Sequence, residues 1–169
     1  MKMRWVLLLL AGFGISGISF GQTYFSKTGK VRFISDAPLE KIESYNNNAY
    51  VVLDVITGAL ECSVLIQGFH FQKALMQDHF NENYMESHKY PKGWFKGSIT
   101  NINEVNLQKD GDYPVKVQGN ITLHNVTKPM TASGHILVKG GQVSAISSFT
   151  LTILDYDISV PKVVKDNIS

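Results

Sequence analysis

Tyr113-Pro114-Val115-Lys116-Val117-Gln118-Gly119-Asn120-Ile121-Thr122-Leu123 alternates without a break between core-type and water-type residues. Tyr113, Val115, Val117, Gly119, Ile121 and Leu123 share one face, and Pro114, Lys116, Gln118, Asn120 and Thr122 share the other. A period of two is that of a strand with one face against a core and the other in water. Downstream, Asn125 to Pro129 reads as a connection and Met130 to Lys139 as the returning strand. Gly140-Gly141 is a tight-hairpin signal, because such turns need backbone that only glycine adopts freely. Val143 to Ile153 follows, with Val143, Ala145, Phe149, Leu151 and Ile153 on one face.

Upstream, Val31 to Ser35, Tyr50 to Val55 and Ala59 to Gln67 behave in the same way, the last two joined by Thr57-Gly58, and Phe69 and Phe71 extend the series. Another strand starts at Trp94, and Asp110-Gly111 separates it from the one at Tyr113. A meander of about seven or eight strands, with no repeat and no linker, makes either a sandwich or an up-and-down barrel. Glycines 97, 119 and 134 lie inside strands and favour strong bending, hence the barrel.

One stretch breaks the pattern. Leu75, Met76, Phe80 and Tyr84 recur at helical spacing, giving a stripe of about three turns that is apolar and aromatic. Pro91 pushes Tyr90 into extended backbone and ends the stretch. A lone amphipathic helix in a β chain must bury its stripe, and the open end of a closed sheet is the natural place. The helix is therefore expected to cap the barrel, and a cover implies a cavity. Phe33, Phe69, Phe71, Phe80, Tyr84, Phe95, Val117, Ile121 and Phe149 are the candidate ligand-binding residues, chosen by alternation and helical spacing.

Lys2 and Arg4 precede a short apolar run, Trp5 to Phe13, and Ser19-Phe20-Gly21 supplies small residues at the positions a signal peptidase inspects. Residues 1–21 are read as an export signal cleaved between Gly21 and Gln22. The run falls short of the roughly 20 apolar residues of a comfortable membrane span, so the mature chain is not expected to be an integral membrane protein. The full chain carries 16 basic and 14 acidic residues. Loss of Lys2 and Arg4 leaves 14 of each, a neutral mature chain with no Lys/Arg run for nucleic acid. Residues 22–169 suit one domain. Cys62 stands alone and alternates with Leu60, Val64 and Ile66, so it reads as a small buried apolar residue.

At this point the residues resemble a known family. His79-Phe80-Asn81-Glu82-Asn83-Tyr84-Met85-Glu86-Ser87-His88-Lys89-Tyr90-Pro91, followed by Phe95 and Ile99, resembles the helix-to-strand signature of the YceI-like family. Gly119-Asn120-Ile121-Thr122-Leu123-His124-Asn125-Val126-Thr127-Lys128-Pro129 resembles its strand, Thr-Lys turn and return strand, and Asp155-Tyr156-Asp157-Ile158 its late aromatic turn. The resemblance implies an all-β, lipocalin-like antiparallel barrel, exported in bacteria to the periplasm or beyond, that holds a long polyisoprenoid or fatty-acid-like chain in an apolar pore. It implies no catalytic centre and no cofactor. Members usually continue past the segment matching Val163 to Ile168 into a closing strand, so either a shortened product or an open seam between first and last strands is expected here. Unpaired edges invite pairing with another chain, which makes a homodimer or poor solubility the expected consequence.

Other chemistry finds little support. His79, Glu82 and Glu86 fall on adjacent helical turns with His88 nearby, yet no two histidines share i, i+4 spacing and no cysteine joins them, so they read as a solvated polar face and no metal is expected. No Gly-x-Ser-x-Gly elbow is present. Asp155 and Asp157 would share one face of a strand, and an ordinary polar rim accounts for them. Lys128 reads either as turn chemistry or as an ammonium beside a lipid head group. Two functions stay open: an exported lipid-binding barrel, or a structural, partner-binding exported protein with a filled core and an open edge.

Overall fold

The computed structural model of the chain describes residues 4–13, 23–36 and 41–158. Its strands are β1 (Arg4–Phe13), β2 (Thr23–Asp36), β3 (Lys41–Asp54), β4 (Ala59–Leu65), β5 (His70–Phe71), β6 (Lys92–Ile99), β7 (Gly111–Leu123), β8 (Val126–Lys139) and β9 (Gln142–Thr152). All pair antiparallel, in the circuit β1-β2-β3-β4-β6-β7-β8-β9 and back to β1. The two-residue β5 adds to β3 beside the opening. This is the barrel expected from the alternating pattern, and its core follows that pattern along β7 up to Thr122, which was expected in water but is buried at 4% and hydrogen-bonded to Thr127. Val115, Val117, Ile121 and Leu123 of β7 are buried while Lys116, Gln118 and Asn120 are exposed.

Several details differ from the expectation. β8 starts at Val126, because His124 and Asn125 both take left-handed backbone (φ +50° and +62°) and form a two-residue hairpin on their own. That turn type is usually signalled by Asn-Gly or Asp-Gly, and His-Asn conceals it. β9 stops at Thr152, and Ile153–Tyr156 form a single 3-10 turn capped by Asp157 at φ +56°. Asp155 and Asp157 therefore lie on a turn and share no strand face. Across the seam expected between the first and last strands, β1 pairs with both β2 and β9, Leu7 with Phe33 on one side and Phe149 on the other. β1 lies inside the stretch read as an export signal, so this is the uncleaved chain. The cleavage position Gly21/Gln22 and the segment Val163 to Ile168 are outside the described residues. No helix among the described residues is long and apolar enough to cross a membrane.

The helical stretch is shorter than its apolar spacing suggests. α1 (Ala74–His79) runs directly into one π turn, Phe80–Tyr84. A π turn inserts an extra residue and rotates the face that follows it. Leu75, ahead of the π turn, is 66% exposed, while Phe80 and, just past the turn, Met85 are buried at 5% and 1%. The fully buried apolar part of the stripe reduces to those two side chains, with Tyr84 packed half-buried against the core.

Candidate functional site

At the end of the barrel that receives the α1 segment, four phenylalanines from three parts of the chain meet. Phe33 of β2 stacks on Phe80 at 5.4 Å between centroids and meets Phe69 and Phe71 edge-on, each at 5.7 Å. Phe80 also contacts Phe69 at 5.7 Å and Phe71 at 4.9 Å. Offset and edge-on contacts of this kind are each worth about 0.5–1.5 kcal/mol beyond the area they bury. Apolar burial thus secures the cover through Phe80, gripped by three other rings, together with the buried Met85.

Beneath it lies a void of about 110 Å³ with almost wholly apolar walls. Of the residues expected to face a ligand, Phe33, Phe69, Phe80, Phe95, Val117, Ile121 and Phe149 border this void. Phe71 supports it from behind through Phe33 and Phe80. Tyr84 stands half-buried outside the wall, and burial pushes its phenol above the ordinary value. Met85, Ile66, Leu123, Met130 and Trp94 border the void as well. Met85 escaped the sequence pattern because the π turn displaced it from the helical stripe. Met130 escaped because Val126 to Pro129 read as a connection, which left its strand face undetermined. A second apolar void of about 50 Å³ lies further down the barrel, and Leu60, Val117 and Ser147 border both.

The space exists because two strands omit side chains where they face each other. Gly97 of β6 pairs with Gly119 of β7. A Cβ on either would sit 2.6 or 2.8 Å from the Phe95 ring tip. The tip of the ring therefore occupies the space that a side chain at either position would take. Cys62 also borders the void, and burial pushes its thiol up to about 12, so it stays a neutral apolar wall residue.

A polar clasp holds the cover at its far end. Glu86, in left-handed backbone at φ +42°, accepts hydrogen bonds from the Lys89 ammonium and, at 3.1 Å, pairs with His124 Nε2 on the β7–β8 hairpin. The Tyr90 ring stands edge-on to His124 at 4.2 Å. The Lys89 hydrogen bond, with a smaller contribution from His124, holds the Glu86 carboxyl below its usual range against the opposing effect of desolvation. Among the described residues, no three His, Cys, Asp or Glu side chains converge as metal ligands. Among the described residues, the lining of the void is almost entirely hydrocarbon.

The fold is similar to that of a polyisoprenoid binding domain from Saccharophagus degradans implicated in plant cell wall breakdown. The TM-score is 0.54 at 6% identity, covering 89% of this chain and 97% of that one. It is also similar to the Campylobacter jejuni YceI protein, with a TM-score of 0.48 at 14% identity over 90% of this chain and 82% of that one. Likeness at these identities speaks for the fold alone. No curated protein matches the chain. The YceI-like domain, however, matches residues 16–169, nearly the whole length, and the chain belongs to the YceI-like family.

Proposed function

We propose that this protein is an exported binding protein, not an enzyme, that holds one long apolar lipid, a polyisoprenoid or fatty-acid-like chain, inside its barrel. The observation that carries this reading is the apolar void under a separately clasped cover. Family membership and the fold shared with a polyisoprenoid binding domain support it. Magnitudes select the ligand. Each buried methylene contributes about 0.8 kcal/mol, and association costs on the order of 4–15 kcal/mol. Ten buried carbons barely hold, whereas twenty or more exceed the cost.

The void of about 110 Å³ is smaller than an engineered cavity of roughly 150 Å³ that accepts benzene. A long chain must therefore displace side chains that border the void as it enters, Phe80 and Met85 of the cover among them. Filling of the barrel end by the four phenylalanines is what favours the second reading, a filled core serving partner binding. Native mass spectrometry of freshly purified protein, with extraction of what it carries, separates the two. One lipid per chain is expected, lost in Phe80→Asp and Ile121→Asp variants that keep their strand content. An empty chain that takes up no prenyl or acyl lipid would overturn the proposal. Export through residues 1–21 predicts a secreted or periplasmic product whose intact mass begins at Gln22.

A further inference from the structure

The barrel wall is not laddered throughout. Pairing between β8 and β9 starts at Ser133↔Ser148 and runs away from the covered end. Above that pair, among the described residues, no ladder joins β8 at 126–132 to β9 at 149–152, although β8 there still pairs with β7 and β9 with β1. The Ile153–Tyr156 turn bridges the two strands at the top, packing against both. Pro129 lies in the unladdered part of β8, and a residue without an N–H suits a strand edge that has no partner. The result is a slot in the side of the barrel, opening outward into a groove of about 390 Å³.

Two side chains belong to both spaces. Met130 and Phe149, each half-buried, border the inner void and the outer groove. They are what separates hydrocarbon space from solvent. The outer groove is of mixed character: Lys128 and Asp155 stand exposed, Thr131, Thr150 and Thr152 bring hydroxyls, and Tyr156 closes the back. Burial pushes the Tyr156 phenol up to about 12, so it remains a neutral hydroxyl. Among the described residues of the groove one cation and one anion cancel, and the remaining polar groups are neutral donors and acceptors. Beside Asp155, with one lysine among those residues to offset it, a diphosphate head would be mismatched in charge.

Building on the lipid-binding reading above, we propose that in the full chain, where β1 still backs β9, the β8–β9 slot is a lateral portal. The apolar chain passes between Met130 and Phe149, and the outer groove holds the uncharged, oxygen-bearing head (an alcohol, amide or quinone). Methionine suits the gate because its unbranched side chain changes rotamer at little cost.

Geranylgeraniol, its diphosphate and phytane, the corresponding saturated chain without oxygen, test this when titrated into the full chain, with the fluorescence of Trp5 and Trp94 as readout. Geranylgeraniol should bind at least tenfold more tightly than the diphosphate. Thr131→Val with Thr150→Val should weaken geranylgeraniol more than phytane. In stopped-flow mixing, Met130→Phe should slow uptake tenfold or more and Met130→Ala should accelerate it, so one of the pair remains informative if the other misfolds. Uptake rates unmoved by both Met130 variants would overturn the portal. A diphosphate bound as tightly as the alcohol would overturn the head-group assignment. Failure of all three probes to bind the unmodified chain would instead strike the lipid reading, and the portal would fall with it.

Discussion

Gly119 shows how a missing atom can shape a site. A Cβ there would lie 2.4 Å from the Lys96 carbonyl oxygen and 2.8 Å from the Phe95 ring. The backbone oxygen cannot retreat, so the ring must turn into the lumen. Gly119→Ala should cost about 1–3 kcal/mol in denaturant unfolding, as overpacking does, and should reduce lipid capacity together with stability. Cys62 offers an independent probe of the same wall. With its thiol at about 12 against an ordinary 9.0, the thiolate fraction at pH 8 is on the order of 1,000-fold below that of a free cysteine. Iodoacetamide should label the native chain slower by about that factor than the urea-unfolded chain. The raised value also means that the unfolded chain ionises first. The Cys62 contribution to stability is present below the ordinary value and is lost as pH rises toward 12.

At the scale of elements, the cover is held at two points of different chemistry. Phe80 is an apolar plug, and Phe80→Ala should cost about 3–5 kcal/mol as a buried aromatic deletion. Glu86 is a surface clasp whose carboxylate is favoured by Lys89 first and His124 second. Because its value is depressed in the fold, the clasp is complete above the ordinary carboxylate value and is lost as pH falls through the folded one. The protection factors of amides 80–90, exchange divided by the intrinsic rate at each pH, should therefore fall on acidification, with those of β7 and β8 unchanged. Glu86→Gln should show that low protection already at neutral pH. Equal protection in the variant and the unmodified chain would mean that apolar burial alone retains the cover. The apolar spacing located this cover correctly but misjudged its extent. The long stripe gives way to two fully buried side chains, Phe80 and Met85, and no local propensity distinguishes a π turn from a continuing helix.

For the whole molecule, closure depends on β1. Its pairing with both β2 and β9 completes the circuit, and cleavage after Gly21 would remove that strand and expose two edges. Residues 22–169 are therefore expected to self-associate in sizing experiments more than the full chain does. A monodisperse monomer at high concentration would count against this. Barrel class, strand sequence and most of the inner wall were legible in the chain, because inward and outward residues alternate with a period that burial on one face imposes. Val117, Ile121 and Phe95 needed no other information. What only the tertiary structure decided is where that regularity fails: the His124-Asn125 turn, the face taken by Met85 and Met130, and the slot where β8 and β9 part. Each depends on how distant segments meet, and a local pattern records a residue's preference for burial without specifying the neighbour that buries it.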